Sequence, residues 1–480
     1  MDLISWQGFL FLLVVPLFAW TAGENRRAAT LSILNLLFAI FWLQQSVAPV
    51  LASSLATYFI ANRLGSSRSG WWLVLGIAAT IGPLTLFRWP LESGEFSRWR
   101  AIWMSGSLAF FSLQSCGALL DIYWNRAEPP RSLTRWFAFS IFFPNLLAGP
   151  IARWKELGTS IETPVAFSED RGRTALLLFC QGLFKKMVLA APLLFLLDRY
   201  FADPTTHGWL TAIGMAFILR YAIWAEIGSH TDWARAGAHL LGYQLPANFH
   251  YPFQTLRLAE FWRRWHMSLS LWLQDYVFSP LALGPLRRWV TPRAAMVVAM
   301  LVAFASLGLW HGITLSFLAM GLIKGCGVLA SEWTWKKAER TGGWQFLLYR
   351  LSIAPAFLFV FLILPTLLIR MDLNTLSDIF SKPDYGLSTS WLRLTETYDG
   401  DSIDHRTMYP YLFIAMAYEC LLWINRRRSS ASGAQTGSDL SWDFANLSPW
   451  ARGLIVFIGF VLFMIFAQFD ASLGFSYVNH

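Results

Sequence analysis

Residues 261–276, with the sequence FWRRWHMSLSLWLQDY, combine side chains that bind anions with one that moves protons. Arg263 and Arg264 are adjacent cations between indole rings, and His266 follows with an imidazole that titrates near working pH. Paired guanidinium groups bind phosphate or carboxylate through charge-assisted hydrogen bonds. The pattern leaves two interpretations open. One is a helix at the membrane surface whose arginines reach lipid phosphate, and the other is a cavity wall that binds an anionic donor.

A second histidine lies in a strongly apolar stretch, SLGLWHGITLSFLAMGLIKG, at 306–325. His311 stands between Trp310 and a glycine, and Lys324 is the one Asp, Glu, Lys or Arg residue of the stretch. An ionisable side chain inside a membrane segment is costly and marks a functional site by default. The neighbouring glycines remove bulk and permit close approach of another helix or of a substrate. Two hypotheses stay equal here: a catalytic imidazole, or a structural histidine that is hydrogen-bonded within the bundle.

The elements that must hold these residues are membrane helices. Of 480 residues, 55% are hydrophobic and 14% are charged, whereas soluble domains carry about 25% charged residues. We therefore predict an all-α polytopic membrane protein with about 11–13 transmembrane helices, each needing ~20 mostly apolar residues. The apolar runs lie near 7–22, 29–43, 48–61, 71–88, 101–123, 136–152, 174–198, 208–226, 293–311, 312–331, 351–369, 407–424 and 452–470.

Charge repeatedly interrupts the hydrophobic pattern in the region 228–290. Within it, LLGYQLPANFHYPF (240–253) contains glycine and proline, which break regular helix. Such backbone survives at membrane depth only where protein buries it or a wet cavity adjoins it. We therefore predict a re-entrant or interfacial segment that does not face lipid. In the following stretch, 261–276, apolar residues recur at steps of three and four, which predicts a continuous helix.

The net charge of +9 is consistent with nucleic-acid binding, but its placement indicates membrane topology instead. Arginines cluster in short loops at 26–27, 63–68 and 426–428. The positive-inside rule puts such loops in the cytoplasm and both termini outside. The loop 371–406 has seven acidic and three basic residues, which favours the outer side. We predict contact with the lipid bilayer and no nucleic-acid partner.

Several motifs, in order along the chain, resemble the signature of the membrane-bound O-acyltransferases. FWRRWHMSLSLWLQDYVFSPL at 261–281 is followed by LGLWHG at 307–312. Three further stretches match the bacterial branch that contains alginate O-acetyltransferases and teichoic-acid D-alanyl transfer proteins: FFSLQSCGALLDIYW (110–124), FFPNLLAGPIARWKEL (142–157) and LLGYQLPANFHYPF (240–253). The resemblance is strong over residues 105–330 and weak elsewhere.

The resemblance implies a bundle with re-entrant or interfacial helices around a central tunnel. It divides the chain into N-terminal transmembrane helices (1–104), a catalytic core (105–331) that contains 228–290, and C-terminal transmembrane helices (332–480) with the extracytoplasmic loop 371–406.

The resemblance also implies roles for individual residues. His311 matches the catalytic histidine, a general base that takes the proton of the accepting hydroxyl; a dry tunnel would favour its neutral form. His266 matches a second histidine near the cytoplasmic entrance. Arg263 and Arg264 are expected to hold donor phosphates. The remaining residues expected to bind substrate are Trp262, Trp265, Trp310, Asn248 and Asp232, the last in GSHTDWA (228–234), where the sequence departs from the family pattern.

The expected reaction moves an acyl group, taken to be acetyl, from cytoplasmic acetyl-CoA or an acyl-carrier thioester to an extracytoplasmic polymer. Alginate, cellulose, another exopolysaccharide and peptidoglycan stay open as that polymer. The expected location is the bacterial cytoplasmic (inner) membrane, with an extracytoplasmic SGNH-type acetyltransferase as partner and no tightly bound cofactor or metal. Alternatives are D-alanyl transfer to teichoic acid and, in another class, a secondary transporter, although paired halves with matching broken helices are not evident.

Overall fold

The structure is a computed structural model that describes residues 6–22, 26–43, 47–88, 106–146, 149–381, 411–420 and 422–423. Its regular elements are helices, and no β-strand occurs in these residues. Together with the apolar composition, this makes the chain an all-α polytopic membrane protein, as the sequence predicts.

The described helices before the central region are α1 (Trp6–Thr21), α2 (Arg27–Leu43), α3 (Val47–Ser67), α4 (Gly70–Arg88), α5 (Gly106–Tyr123), α6 (Leu133–Ser140) and α7 (Phe143–Leu146). The central helices are α8 (Glu169–Phe184), α9 (Ala191–Ala202), α10 (Trp209–Leu240), α11 (Leu258–Trp262), α12 (Met267–Leu273) and α13 (Ser279–Leu283). They are followed by α14 (Pro292–His311), α15 (Leu315–Thr341), α16 (Gly343–Leu351), α17 (Ile353–Leu358), α18 (Leu373–Ser381) and α19 (Tyr411–Cys420). Turns of π- or 3₁₀-helix (Lys185–Ala190, Gln274–Phe278, Phe359–Ile363 and Leu364–Ile369) continue several of these helices.

Five helical segments of the described chain are long and apolar enough to cross a membrane: Glu169–Ala202, Trp209–Leu240, Pro292–His311, Leu315–Thr341 and Gly343–Ile369. Each overlaps an apolar run predicted from the sequence. Shorter apolar helices occupy Arg27–Phe41, Gly70–Thr85, Leu108–Tyr123 and Tyr411–Cys420. The run 452–470, the basic loop 426–428 and residues 382–406 of the acidic loop lie outside the described residues. The total of about 11–13 spans therefore stays a prediction.

Helix α10 runs through the predicted start of the interrupted region at 228, so that region begins at 241 in the structure. Asp232, the first carboxylate of that region, and the nearby Glu226 are paired inside the bundle. Lys185 donates to Asp232 at 2.7 Å, and Lys186 donates to Glu226 at 2.5 Å. Both lysines lie in the π-helical turn after α8, which packs along α10. Because Asp232 and Glu226 each have a buried lysine partner, α10 accommodates both carboxylates among buried side chains and stays helical.

Residues 241–257 connect α10 to α11 without regular helix, and all of them except Gln244 and His250 are buried or half-buried. This burial agrees with the expectation that protein covers the backbone, and the position of the segment relative to lipid stays a prediction. The segment starts with Gly242 at a φ of 88°, a left-handed conformation that glycine adopts without steric cost. A side chain there would also crowd Pro164 and the carbonyl group of Val165.

The predicted continuous helix over 261–276 is wrong. The gap between α11 and α12 contains His266, whose backbone is left-handed with a φ of 44°. Asn248, in the preceding loop, caps α12 from outside: its carbonyl oxygen accepts the Met267 N–H at 2.8 Å. Its side-chain Oδ1 accepts the Ser268 N–H at 3.2 Å. These bonds satisfy donors that the start of a helix leaves open, and periodicity within 261–276 cannot reveal a cap that lies outside it.

Candidate active site

His266 is buried in an apolar pocket made by three other rings. Its imidazole stacks on Phe110 at 6.2 Å between ring centroids and lies 6.1 Å from Phe249 and 6.3 Å from Trp310. Within the part of the chain that the structure describes, neither ring nitrogen has a hydrogen-bond partner. Burial disfavours the charged form and lowers the pKa of His266 to about 4. The imidazole is therefore neutral at physiological pH and faces an apolar surrounding.

His311 is the last residue of α14 and is half-buried. Its ring stacks on Phe317 of α15, with centroids 6.1 Å apart and planes 17° apart. The ring of Trp310 lies 5.0 Å from His311 on one side and 6.3 Å from His266 on the other. Both predicted histidines therefore lie next to the indole of Trp310, although 44 residues separate them in the sequence.

Glycines set the position of His311 by letting α14 and α15 pack backbone to backbone. A Cβ at Gly308 would overlap the Phe317 carbonyl oxygen, and one at Gly321 would overlap the Phe304 carbonyl oxygen. Of the two roles that the sequence allowed for glycine near His311, close approach of a helix is therefore confirmed. The open carbonyl groups at a helix C-terminus carry partial negative charge. They favour positive charge on His311 at the moment it accepts a proton.

A cavity of about 580 Å³ opens at the end of the bundle where α14 ends. Its lining residues include Asp198, Phe201, Thr314, Ser316, Phe317, Arg370 and Asp372. Phe317 belongs both to this cavity and to the ring stack on His311. Hydroxyl, carboxylate and guanidinium groups beside aromatic rings give the cavity the polar and flat surfaces that a polyhydroxylated acceptor can contact.

The predicted donor-binding arginines have different surroundings. Arg263 is exposed, and its Nε donates to the Ala259 carbonyl oxygen at 3.4 Å. Arg264 is ion-paired with Glu260, one turn earlier. Among the described residues, Arg264 thus has a carboxylate partner and Arg263 has none.

Trp262 and Trp265 lie on the inner side of the same segment. Trp265 is buried against Phe261, at 5.2 Å between centroids, and lies 4.8 Å from the Arg220 guanidinium carbon. Trp262 packs edge-on against Phe304 of α14, with centroids 5.1 Å apart. These contacts hold α11 against the core. Substrate binding by the two indoles stays a prediction.

Asp232 and Asn248 are buried, and both side chains have protein partners. Asp232 holds Lys185, and Asn248 donates to Thr231 at 3.2 Å while accepting from Ser268. Their observed contacts fix the bundle and the His266 turn, and a substrate contact for either stays a prediction. Sequence reasoning missed Lys185 and Lys186, although adjacent lysines in the apolar run 174–198 are a signal for buried carboxylate partners.

The fold and this pair of histidines define a class: a helical membrane protein with one buried imidazole, His266, and a second, His311, at the end of a membrane helix. Residues 94–368 match the model of the membrane-bound O-acyltransferase family, MBOAT. The match covers more than half of the 480 residues, and the chain belongs to this family.

Curated relatives carry three kinds of name. A probable alginate O-acetylase of Pseudomonas fluorescens is 28% identical over 325 residues, covering 65% of this chain and 62% of that protein. The peptidoglycan O-acetyltransferase of Helicobacter pylori is 25% identical over 335 residues, 61% of this chain and 62% of that protein. The teichoic acid D-alanyltransferase of Streptococcus thermophilus is 28% identical over 232 residues, 44% of this chain and 52% of that protein. The chain thus spans less than two thirds of the length of these relatives.

Proposed function

We propose that the protein is an O-acyltransferase that moves an acetyl group from a cytoplasmic thioester to an extracytoplasmic polysaccharide. The observation that carries the proposal is the position of His311. Its ring lies between the indole shared with His266 and the Phe317 wall of the polar cavity. A base in that position has an apolar interior on one side and a surface for hydroxyl groups on the other.

The chemistry needs one proton acceptor. His311 takes the proton of the accepting hydroxyl as its oxygen attacks the thioester carbonyl carbon. The carbon–sulfur bond then breaks, and the thiolate leaves as the other product. The C-terminal end of α14 stabilises the imidazolium that forms. His266, neutral and buried, shapes the apolar side of the path and excludes water.

The proposed topology determines on which side of the membrane the donor and the acceptor bind. The 3₁₀ turn Pro285–Arg288 contains Arg287 and Arg288, and α15 ends with Arg340 in its last turn. Positive-inside placement of these ends puts the end of α14 and the polar cavity outside. The donor, acetyl-CoA or an acyl-carrier thioester, then arrives from the side of Arg263 and Arg264.

The names of the relatives support polymer acylation, and two of the three name acetyl transfer. An extracytoplasmic acetyltransferase of SGNH type is the proposed partner that completes transfer to sugar. D-alanyl transfer to teichoic acid is the alternative, supported by the relative with the shorter match.

The test compares polymer acetyl and D-alanyl content in wild-type, deletion and complemented strains. The proposal expects acetyl ester to disappear in the deletion strain and to return with the wild-type gene, but not with His311→Ala. Unchanged acetyl ester with lost D-alanine would favour the alternative, and no change in either ester would contradict polymer acylation.

A further inference from the structure

The cavity beside Phe317 has a charge that its ligand must match. Three charged side chains line it: Asp198 of α9, Arg370 and Asp372. Arg370 is ion-paired with Asp198 at 2.5 Å, and Asp372 is a second carboxylate. Among the lining residues, two negative charges therefore accompany one positive charge, and the cavity has an excess of negative charge.

Within the ion pair, the carboxylate is the more accessible partner. The Arg370 side chain is 7% exposed, and its guanidinium carbon lies 5.1 Å from the centroid of the Phe201 ring. The Asp198 side chain, by contrast, is 48% exposed. A molecule that enters the cavity therefore meets the carboxylate of this pair rather than the guanidinium.

Asp372 adds an exposed carboxylate directly before α18. Its Oδ1 accepts the Thr375 N–H at 2.7 Å. Hydrogen bonds from this backbone and from the Thr375 side chain stabilise the charged form and lower the pKa of Asp372 below its usual value. The carboxylate is therefore negatively charged at physiological pH. The sequence that starts here, 371–406, contains seven acidic and three basic residues, so the segment as a whole is also negatively charged.

Uncharged polar groups of the cavity lie on the side of His311. Thr314 and Ser316 stand in and just after the turn between α14 and α15, and both line the cavity. Thr314 Oγ1 accepts the Phe317 N–H at 3.3 Å, and Ser316 Oγ accepts the Leu373 N–H at 3.3 Å. Since each oxygen serves as an acceptor in these bonds, its O–H group can donate to a ligand. The Phe317 ring, which stacks on His311, adds an apolar face.

We infer that this cavity binds an uncharged polysaccharide and disfavours a polyanionic one. Hydroxyl groups of a neutral sugar can donate to Asp198 and Asp372 and accept from Thr314 and Ser316. A polymer with a carboxylate or phosphate on each repeating unit instead brings like charge close to the two carboxylates.

Among the polymers that the proposed function leaves open, the inference selects cellulose or another uncharged exopolysaccharide over alginate, which has a carboxylate on every sugar unit. It also counts against teichoic acid, which has repeated phosphates. The inference rests on the proposed function only for calling the bound polysaccharide the acyl acceptor.

The experiment measures binding of two oligosaccharides to the purified full-length protein in a neutral detergent without a sugar headgroup. The probes are β-linked mannohexaose and β-linked hexamannuronate, which differ only in that the hydroxymethyl group of each sugar unit is replaced by a carboxylate. Ligand-induced thermal stabilisation at low ionic strength reports the affinities. We expect mannohexaose to bind at least about fivefold more tightly, the factor produced by like charges about 4 Å apart in water. Added salt should reduce the difference, because it screens the repulsion.

Two variants test whether the carboxylates set this preference. Asp372→Asn removes a charge and keeps a residue that caps a helix, and Asp198→Asn removes the carboxylate that is paired with Arg370. Each should tighten binding of hexamannuronate and change binding of mannohexaose little. Asp170→Asn is the control, because Asp170 is exposed at the opposite end of the segment Glu169–Ala202, which contains Asp198. It should behave like wild type.

Equal affinity of wild type for the two oligosaccharides, or tighter binding of hexamannuronate, would overturn the inference. An unchanged preference in both cavity variants would also overturn it, because the carboxylates would then not cause the preference. If neither oligosaccharide binds, the cavity is not a polysaccharide site and the inference fails. These measurements involve no turnover, so they are independent of the polymer ester content that tests the proposed function. Selective binding of mannohexaose with unchanged polymer esters in the deletion strain would contradict the proposed function and leave the charge selectivity of the cavity intact.

Discussion

His266 and His311 both lie next to the Trp310 ring, but the surroundings of the two imidazoles differ in how well they stabilise a protonated ring. His266 lies among aromatic rings, and its low pKa makes it a weak proton acceptor at neutral pH. His311 lies at a helix C-terminus beside a polar cavity, where charge on the imidazole is stabilised. The surroundings therefore favour His311 as the base and His266 as an apolar, orienting neighbour.

Burial of His266 makes the protein sensitive to acid. The unfolded histidine binds a proton below about pH 6.5, and the folded one only below a pKa of about 4. Between these values the unfolded state holds more protons, so the free energy of unfolding falls as the pH falls. We predict that lowering the pH from about 7 to about 5 reduces the unfolding temperature of His266→Phe less than that of wild type. His250→Phe, at an exposed histidine, should behave like wild type, and equal acid sensitivity of all three would contradict the prediction.

The arginine pair is predicted to bind the donor, mainly through the exposed Arg263, because Arg264 is ion-paired with Glu260. Arg263→Gln with Arg264→Gln should weaken donor use by at least about tenfold, since a charge-assisted bond is worth ~1.5–3 kcal/mol. The measurement is the dependence of acylation on donor concentration in isolated membranes. Glu260→Gln releases Arg264 from its ion pair and is the matched control, which should not weaken donor use. Normal donor dependence in the double variant would make the pair an interfacial anchor only.

The break between α11 and α12 shows how one element depends on another. No proline or glycine occurs in 261–276, and its periodicity fits both short helices. The left-handed turn at His266 is imposed by Asn248, which lies in a loop and bonds to both Met267 and Ser268. The motif could therefore predict which residues form the site, but not the turn that directs His266, because tertiary hydrogen bonds decide it.

The close packing of α14 on α15 is predicted to hold His311 in place. Gly308→Ala would put a methyl group into the Phe317 carbonyl oxygen, so the helices must separate. We expect a lower unfolding temperature and lower acylation. Gly214→Ala is the control within a membrane helix, because a Cβ there meets no atom within 4 Å. If both variants match wild type in unfolding temperature and activity, the glycine contact does not position the site.

Across the molecule, hydropathy predicted the helices better than it predicted their ends. The five long helical segments coincide with apolar runs, because a membrane-crossing helix requires only sufficient length and an apolar composition, and both are visible in the sequence. The continuation of α10 through Asp232 was not predictable from local charge. Lys185 and Lys186, which lie 47 and 40 positions earlier in the sequence, neutralise Asp232 and Glu226 respectively. Such pairing is a property of packed helices and leaves no local pattern around 228.

Topology gives a prediction for the whole chain. The arginines at 26–27, 63–68 and 426–428 predict both termini outside, with residues 371–406 accessible from that side. The predicted loop 63–68 is shorter in the structure, because α3 extends through Ser67 and contains Arg63. Fusions of a reporter that is active only outside the cytoplasm should therefore be active at either terminus and within 371–406. A reporter active only in the cytoplasm should work at Arg68, in the short connection between α3 and α4. A cytoplasmic C-terminus would contradict the arrangement and reverse the proposed sides of donor and acceptor.

The direct test of His311 is acetyl transfer by membranes that contain equal amounts of wild type, His311→Ala and His311→Gln. General-base catalysis contributes roughly 10²–10⁴-fold, so both variants should lose acetyl transfer by about that factor while remaining in the membrane. Glutamine keeps size and hydrogen bonding but cannot accept a proton at neutral pH, so it separates a base from a structural residue. A well-expressed His311→Gln protein with near-normal acetyl transfer would contradict the assignment and make His266 the better candidate for the base.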